Sequence, residues 1–451
     1  MTISRRSTTS LQIQARESNH FPETESSLPN LPRSSTTSLL DNVLSYLGPH
    51  NPFPKAVSKD DTVWLLDNTA YRNHITGTWE AEFVTAVWET ETGKRVPEIV
   101  GDIVGRIGSD GDRGEDEIVE ERLRPFFDGS ELRLGPSGRE GISSDIRVLV
   151  DGKDGEVVTW KAKVPEGAEG ELEMRTVYAE PEGWGVISDI DDSIKITQTS
   201  SPTGILRSTF LSKPLPIEGM PEFYKHIQSL ITPKSAMVAP WFYLSASPYT
   251  LYSFLNDFRR EYYPQGTMIL RDANFLNLSG LLETLTVGTQ EYKVDRMEKI
   301  HKWLPKRKMI CVGDSTQSDP EAYGEMYRKD PTWIKLILIR KVTDIAAIGI
   351  ADKNEPERFE KAFTGVPKSI WRVFESPKEY FTGLESISRC LEVCMYRIIW
   401  YTARLTISGN LVYVTGTSYT WQRADLSEMI TGGTAVDLFS GAFLLQARAS
   451  F

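Results

Sequence analysis

A chain of 451 residues with 40% hydrophobic and 25% charged side chains has a soluble globular composition and length for about two or three ordinary cores. Its formal net charge of −11 excludes the basic face of a general nucleic-acid binder and gives no global pull toward anionic membranes, so any lipid contact needs a local basic patch. Three cysteines, Cys311, Cys390 and Cys394, are too few for a disulfide framework and fit a reducing compartment. The N-terminus has no secretory-type apolar core, and no apolar run reaches spanning length. A cytoplasmic protein without a membrane span is expected.

Residues 1–57 are rich in Ser, Thr, Pro and Asn and read as a disordered segment, with a hint of helix at 39–44. Over 58–180, short β-branched and aromatic segments at 62–66, 80–88, 131–134, 145–150, 156–163 and 171–179 are separated by turn signals such as Asp128-Gly129 and Asp151-Gly152. This predicts a small mainly-β, sandwich-like domain. Within it, 101–117 reads as an acidic, Gly-rich loop and 118–127 as more helical.

Over 181–385 the texture changes to apolar strands alternating with helices. Strands are predicted at 184–187, 241–244, 268–270, 309–312 and 334–339, and helices at 223–230, 249–258, 294–303 and 320–327. Such alternation predicts an α/β domain with a mainly parallel sheet covered by helices on both faces. Residues 356–381 continue as helix and loop. Residues 386–451 form an atypical C-terminal tail that fits neither pattern, although 410–417 is β-prone.

Ligands of parallel sheets bind beyond the carboxyl ends of the strands, and Asp189, Ser245 and Asp314 all fall there. Asp189-Ile190-Asp191-Asp192-Ser193 follows the first strand, and Gly313-Asp314-Ser315-Thr316-Gln317-Ser318-Asp319 follows a later one. A calcium loop fails, because Ile194 stands at its glycine position and Ser200 at its bidentate glutamate. Phosphate-ester hydrolysis through an aspartyl-phosphate suits these residues. Asp189 serves as nucleophile and metal ligand, with the Asp191 carbonyl and Asp314 as further Mg2+ ligands. The Asp191 side chain carries the proton. Ser245 donates to a phosphoryl oxygen, and Lys293, the best placed of the cations near Arg296, Lys299 and Lys302, neutralises charge.

The same residues resemble the four motifs of the haloacid dehalogenase superfamily of phosphatases. More narrowly, the chain resembles the fungal actin-patch phosphatidate phosphatase family, distant relatives of the lipins. The resemblance is carried by VISDIDDSIKI (186–196), YLSASP (243–248), YPQGTMILRD (263–272) and VGDSTQSDPEAY (312–323). It extends upstream through TVWLLDNTAY (62–71) and WEAEFVTA (79–86) and downstream to 357–374. Ser193 departs from the Thr or Val usual at the end of the first motif. The resemblance implies a Rossmann-like haloacid dehalogenase sheet and a metal set of Asp189, Asp191, Asp314 and Asp319, the last two as the acidic pair of the fourth motif. It also implies Mg2+-dependent conversion of phosphatidate to diacylglycerol at membrane surfaces, linked to cortical actin patches and endocytosis, with endocytic or actin-patch proteins as partners. The intervals between motifs hold no obvious cap domain, so the pocket is expected to be open. Arg259-Arg260, Lys306-Arg307-Lys308 and Arg340-Lys341 are candidates for the local lipid attraction. The alternatives are a phosphatase for another phosphomonoester or a phosphoprotein, and an actin-cortex scaffold with secondary catalysis. No Pro-x-x-Pro array supports the scaffold.

Overall fold

The computed structural model describes residues 57–89 except 58 and 60, 118–119, 122, 142–199, 202–232, 238–271, 289–343 and 349–378, and the strand segments 404–408, 411–416, 419–420 and 424–425. All of the segment expected at 1–57 except residue 57, the stretches expected at 101–117 and 131–134, most of 118–127, and Cys390 and Cys394 lie outside them. Contacts divide the chain into two compact units, one up to Glu379 and one from Tyr380.

In the first unit, β1 (Asp61–Leu65), β2 (Asn68–Arg72), β3 (Trp79–Glu89), β4 (Ile142–Leu149), β5 (Val157–Lys161) and β6 (Glu173–Ala179) form one six-stranded sheet. Its order is β1-β3-β2-β6-β5, with β4 on β3. The pairs are antiparallel except β2 with β6. The β2–β3 hairpin turns where the Asn73 side-chain oxygen accepts the amides of Ile75 and Thr76. Alternation along β2, β3 and β6 turns Ala70, Trp79, Ala81 and Tyr178 into one small core, where Trp79 and Tyr178 meet edge to face at 4.9 Å.

The expected sandwich is corrected to a single sheet among the described residues. A polar seam ties this sheet to the α/β part of the unit. Asp67 pairs with Arg259 at 2.6 Å, Glu82 with Lys299 at 2.6 Å, and Thr69 meets Thr267 at 2.7 Å, all buried. Alternation reveals that a strand has a covered face without revealing what covers it.

The second sheet contains β7 (Trp184–Asp189), β8 (Trp241–Pro248), β9 (Thr267–Arg271), β10 (Lys308–Asp314), β11 (Ile334–Arg340) and β12 (Trp371–Phe374). All its pairs are parallel, in the order β12-β11-β10-β7-β8-β9. β7, β8 and β9 are buried throughout, as expected of strands covered on both faces. The strand β12 replaces the helix and loop expected there. Its short, half-polar sequence Trp-Arg-Val-Phe carries little strand signal.

The helices are α1 (Pro202–Leu206), α2 (Met220–Ile231), α3 (Tyr252–Tyr262), α4 (Thr289–Trp303), α5 (Asp319–Lys329), α6 (Ile350–Lys353) and α7 (Pro356–Ala362). Spacing of three and four residues buries Phe223, Tyr224, Ile227 and Ile231 of α2. Each such side chain contributes about 1.5–3 kcal/mol on burial. Val294, Met297 and Ile300 of α4 pack with Ile187, Phe242 and Ile269 from three strands in the main core.

In the second unit, β13 (Arg404–Ser408), β14 (Leu411–Gly416), β15 (Tyr419–Thr420) and β16 (Ala424–Asp425) make an antiparallel sheet. No helix among the described residues is long and apolar enough to cross a membrane.

Candidate active site

The sheet grows from β7 toward β8 and β9 on one side, then resumes on the other side with β10. The switch point lies between β7 and β10, and ligands of parallel sheets bind at such a point. Asp189 ends β7, Asp314 ends β10, and Ser245 lies on β8, the other neighbour of β7.

Asp189, Asp314 and Asp319 are buried and each places a carboxylate oxygen within 4.8 Å of the others. Lys293, on α4, reaches in between them, with Nζ 2.7 Å from Asp189 Oδ1 and 2.5 Å from Asp319 Oδ1. Of the other cations near this position, Lys299 pairs with Glu82 and Arg296 with Asp295. Burial pulls the Lys293 ammonium down, but Asp189, Asp319 and Asp314 outweigh it and hold its pKa above the usual lysine value. Burial, then the charge of Asp319, pushes Asp189 well above the carboxylate range against the pull of Lys293. The same two causes raise Asp314 to about 6, opposed by Lys293 and Thr316.

Asp314 is also held in place. Its Oδ1 accepts the Thr316 amide at 2.6 Å and the Thr316 hydroxyl, and its Oδ2 accepts Ser193 Oγ at 3.0 Å. Ser193, the departure in the first motif, thus keeps a hydroxyl that links the two acidic clusters. Asp319 Oδ2 accepts the Asp314 amide at 3.0 Å.

Asp191 stands apart from this trio. Its Oδ2 accepts Ser245 Oγ at 2.6 Å, and its Oδ1 accepts Thr197 Oγ1 at 2.8 Å with Lys195 Nζ 3.8 Å away. The predicted metal ligand Asp191 therefore brings no side-chain oxygen to the trio. Its carboxylate instead faces hydroxyl donors at the edge of the site. Ser245 correspondingly holds Asp191, and its Oγ also accepts the Ser247 amide at 3.0 Å.

Sequence reasoning gave Asp192, Lys195, Thr197 and Thr316 no role. Asp192 has a left-handed φ of 60° and accepts the amides of Thr197, Gln198 and Thr199 and the Thr199 hydroxyl. It is the knot of the loop that presents Asp191. Its only sequence signal was a second carboxylate directly after Asp191.

The trio fits a hard divalent cation. Three carboxylates face one ammonium, and Asp189 Oδ2 is buried without a hydrogen-bond partner. Such an oxygen costs free energy unless an electrophile or cation meets it. Oxygen-only donors with this excess of negative charge suit Mg2+.

Three of the seven cations in the expected basic patch are internal. Arg259 pairs with Asp67, and Arg307 with Asp154 and the Trp184 carbonyl. Arg340 donates to the Asp192 carbonyl at 2.9 Å. Lys306 and Lys308 also stand at the start of β10, at the opposite end of the sheet from Asp314.

Residues 184–341 match the family described as phosphatidate phosphatase APP1, catalytic domain. Through these residues the chain is similar to the catalytic domain of APP1-type phosphatidate phosphatases. Among curated proteins, the phosphatidate phosphatase APP1 of Saccharomyces cerevisiae is 31% identical over 166 residues, 36% of this chain and 27% of that relative. The chain thus spans about a quarter of the length of the APP1 relative it matches. The APP1-type match begins at Trp184, the first residue of β7, and ends just after β11, so it takes in Asp189, Asp191, Ser245, Lys293, Asp314 and Asp319 but stops short of α6, α7 and β12.

Proposed function

We propose that this site is a haloacid dehalogenase-type, Mg2+-dependent phosphatase centre that hydrolyses phosphatidate to diacylglycerol and phosphate. The observation that carries the reading is Asp189, with one oxygen on Lys293 and the other buried and unpartnered beside Asp314 and Asp319. A bound Mg2+ would be held by Asp189, Asp314 and Asp319 and would supply charge neutralisation for the phosphoryl group. Asp189 attacks phosphorus and displaces the diacylglycerol oxygen, which takes a proton from Asp191. Asp191 then removes a proton from the water that releases phosphate from Asp189. Lys293 orients Asp189 and pulls it toward its ionised form, and Ser245 and Thr197 aim Asp191. The identity of phosphatidate as substrate is supported by the name of the yeast relative. We place this activity in the cytoplasm at the membrane surface, in the company of cortical actin-patch and endocytic proteins.

Phosphate release from phosphatidate in mixed micelles, set beside soluble phosphomonoesters and phosphopeptides, tests the substrate. Turnover of phosphatidate that needs Mg2+, with Asp191→Asn slowed by about a hundredfold or more, is expected. Turnover of soluble esters alone would remove the lipid and keep the chemistry. Turnover that ignores chelation would remove the metal.

A further inference from the structure

The family match ends at residue 341, yet the loop carrying the second acidic cluster is held by residues beyond it. Arg358, on α7, spends all five N–H donors there. Its Nε and Nη2 grip the Glu321 carboxylate at 2.8 and 2.9 Å. Nη1 donates to the carbonyls of Ser315 at 2.5 Å and Lys353 at 2.8 Å, and Nη2 donates to the carbonyl of Gln317 at 2.5 Å. Lys353 Nζ takes the remaining carbonyl, that of Thr316, at 2.5 Å. Three successive carbonyls between Asp314 and Asp319 are therefore each capped by a cation from the segment after the match.

The loop is pinned on its other side as well. The Ser315 amide donates to the Arg340 carbonyl at 3.0 Å, and Ser315 Oγ accepts the Val342 amide at 3.0 Å. These contacts fix the peptides whose groups orient the carboxylates, since the Thr316 amide holds Asp314 and the Asp314 amide holds Asp319. Turning the Ser315–Gln317 backbone would move both carboxylates relative to Asp189.

We infer that Arg358, assisted by Lys353, is a positioning residue that sets the spacing of Asp314 and Asp319 and hence the affinity of the site for a divalent cation. The working unit then extends past residue 341 to α7. The inference rests on the cation reading proposed above. A planar guanidinium with donors on three sides joins Glu321, two loop carbonyls and Lys353 at once, which an ammonium cannot do. Groups that orient metal ligands in this way typically change affinity about 10- to 100-fold when removed.

The test is calorimetric titration of Mg2+ and Mn2+ into the full chain, wild type beside Arg358→Met, Arg358→Lys and Glu321→Gln, with circular dichroism and melting curves in parallel. Wild type is expected to bind. Arg358→Met should bind about 10- to 100-fold more weakly with its fold intact, and Arg358→Lys and Glu321→Gln should fall in between. The cation concentration for half-maximal turnover should rise in the same order, while kcat at saturating cation recovers. If Arg358→Met does not fold, the two milder variants decide. Folded variants that bind as wild type does, with only a lower Tm, would reduce Arg358 to a structural brace and overturn the inference while leaving the metal reading intact. A wild type that binds neither cation overturns both.

Discussion

Gly313 has no room for a methyl group. A Cβ there would stand 2.6 Å from Asp319 Cβ and Cγ and 2.7 Å from Oδ2. The neighbour that must yield is the carboxylate held by Lys293 and the Asp314 amide. Gly313→Ala is therefore expected to lower phosphate release by about a hundredfold, because a displacement of about 1 Å has that effect on positioned groups. It should cost only about 1–3 kcal/mol of stability. Assay and melting curve on the same preparation check this, and an unimpaired rate would show that the position of Asp319 is unimportant. At this scale the first motif was legible. Asp189, Asp191 and Asp314 advertise themselves as carboxylates at strand ends, and Lys293 was the best placed of several cations. Arg358 and Lys353 were not legible as partners of the fourth motif, because their targets are backbone carbonyls about 40 residues away, which leave no side-chain pattern.

At the scale of elements, the parallel sheet was largely written in the sequence. Its central strands are continuous apolar runs with turn residues at their ends, and five of the six were predicted. The exception, β12, pairs with β11 through only four residues. Of the strands before it, β1, β3, β4, β5 and β6 were found and β2 was missed, and among the described residues they form one sheet rather than the expected sandwich. Arg259 shows why, since it reads as half of a surface Arg-Arg pair yet closes the seam on Asp67, 192 positions away. Both side chains are almost fully buried. Arg259→Met would strand a buried carboxylate with only Gln265 and the Arg175 amide as donors. A loss of about 3–5 kcal/mol in chemical denaturation is expected. The folded fraction should keep its turnover, because no group of the site is touched. A loss within about 0.5 kcal/mol would mean that the seam carries little stability.

For the whole molecule, the carboxylate trio makes stability depend on pH and cation together. Burial and mutual repulsion raise Asp189 and bring Asp314 to about 6, so without a cation the folded state holds these protons more tightly than the unfolded chain. That contribution is fully present below about pH 4, the unfolded carboxylate value, and is lost as pH rises through about 6. A cation favours the ionised trio, so its effect has the opposite dependence. Melting curves from about pH 4 to 8 should show a Tm gain from Mg2+ that is near zero at the acid end and largest above about pH 6. A gain independent of pH, or confined to acid, would place cation binding elsewhere. The composition already pointed to a folded protein with local rather than global attraction for anions. The internal fate of Arg259, Arg307 and Arg340 then narrows which cations are left to meet a lipid surface. The central claim is that Asp189 is the nucleophile, and Asp189→Asn tests it most directly. With phosphatidate in mixed micelles and saturating Mg2+, the variant should fold as wild type does and release phosphate at least about a thousandfold more slowly. Release at or near the wild-type rate from a folded Asp189→Asn protein would contradict it.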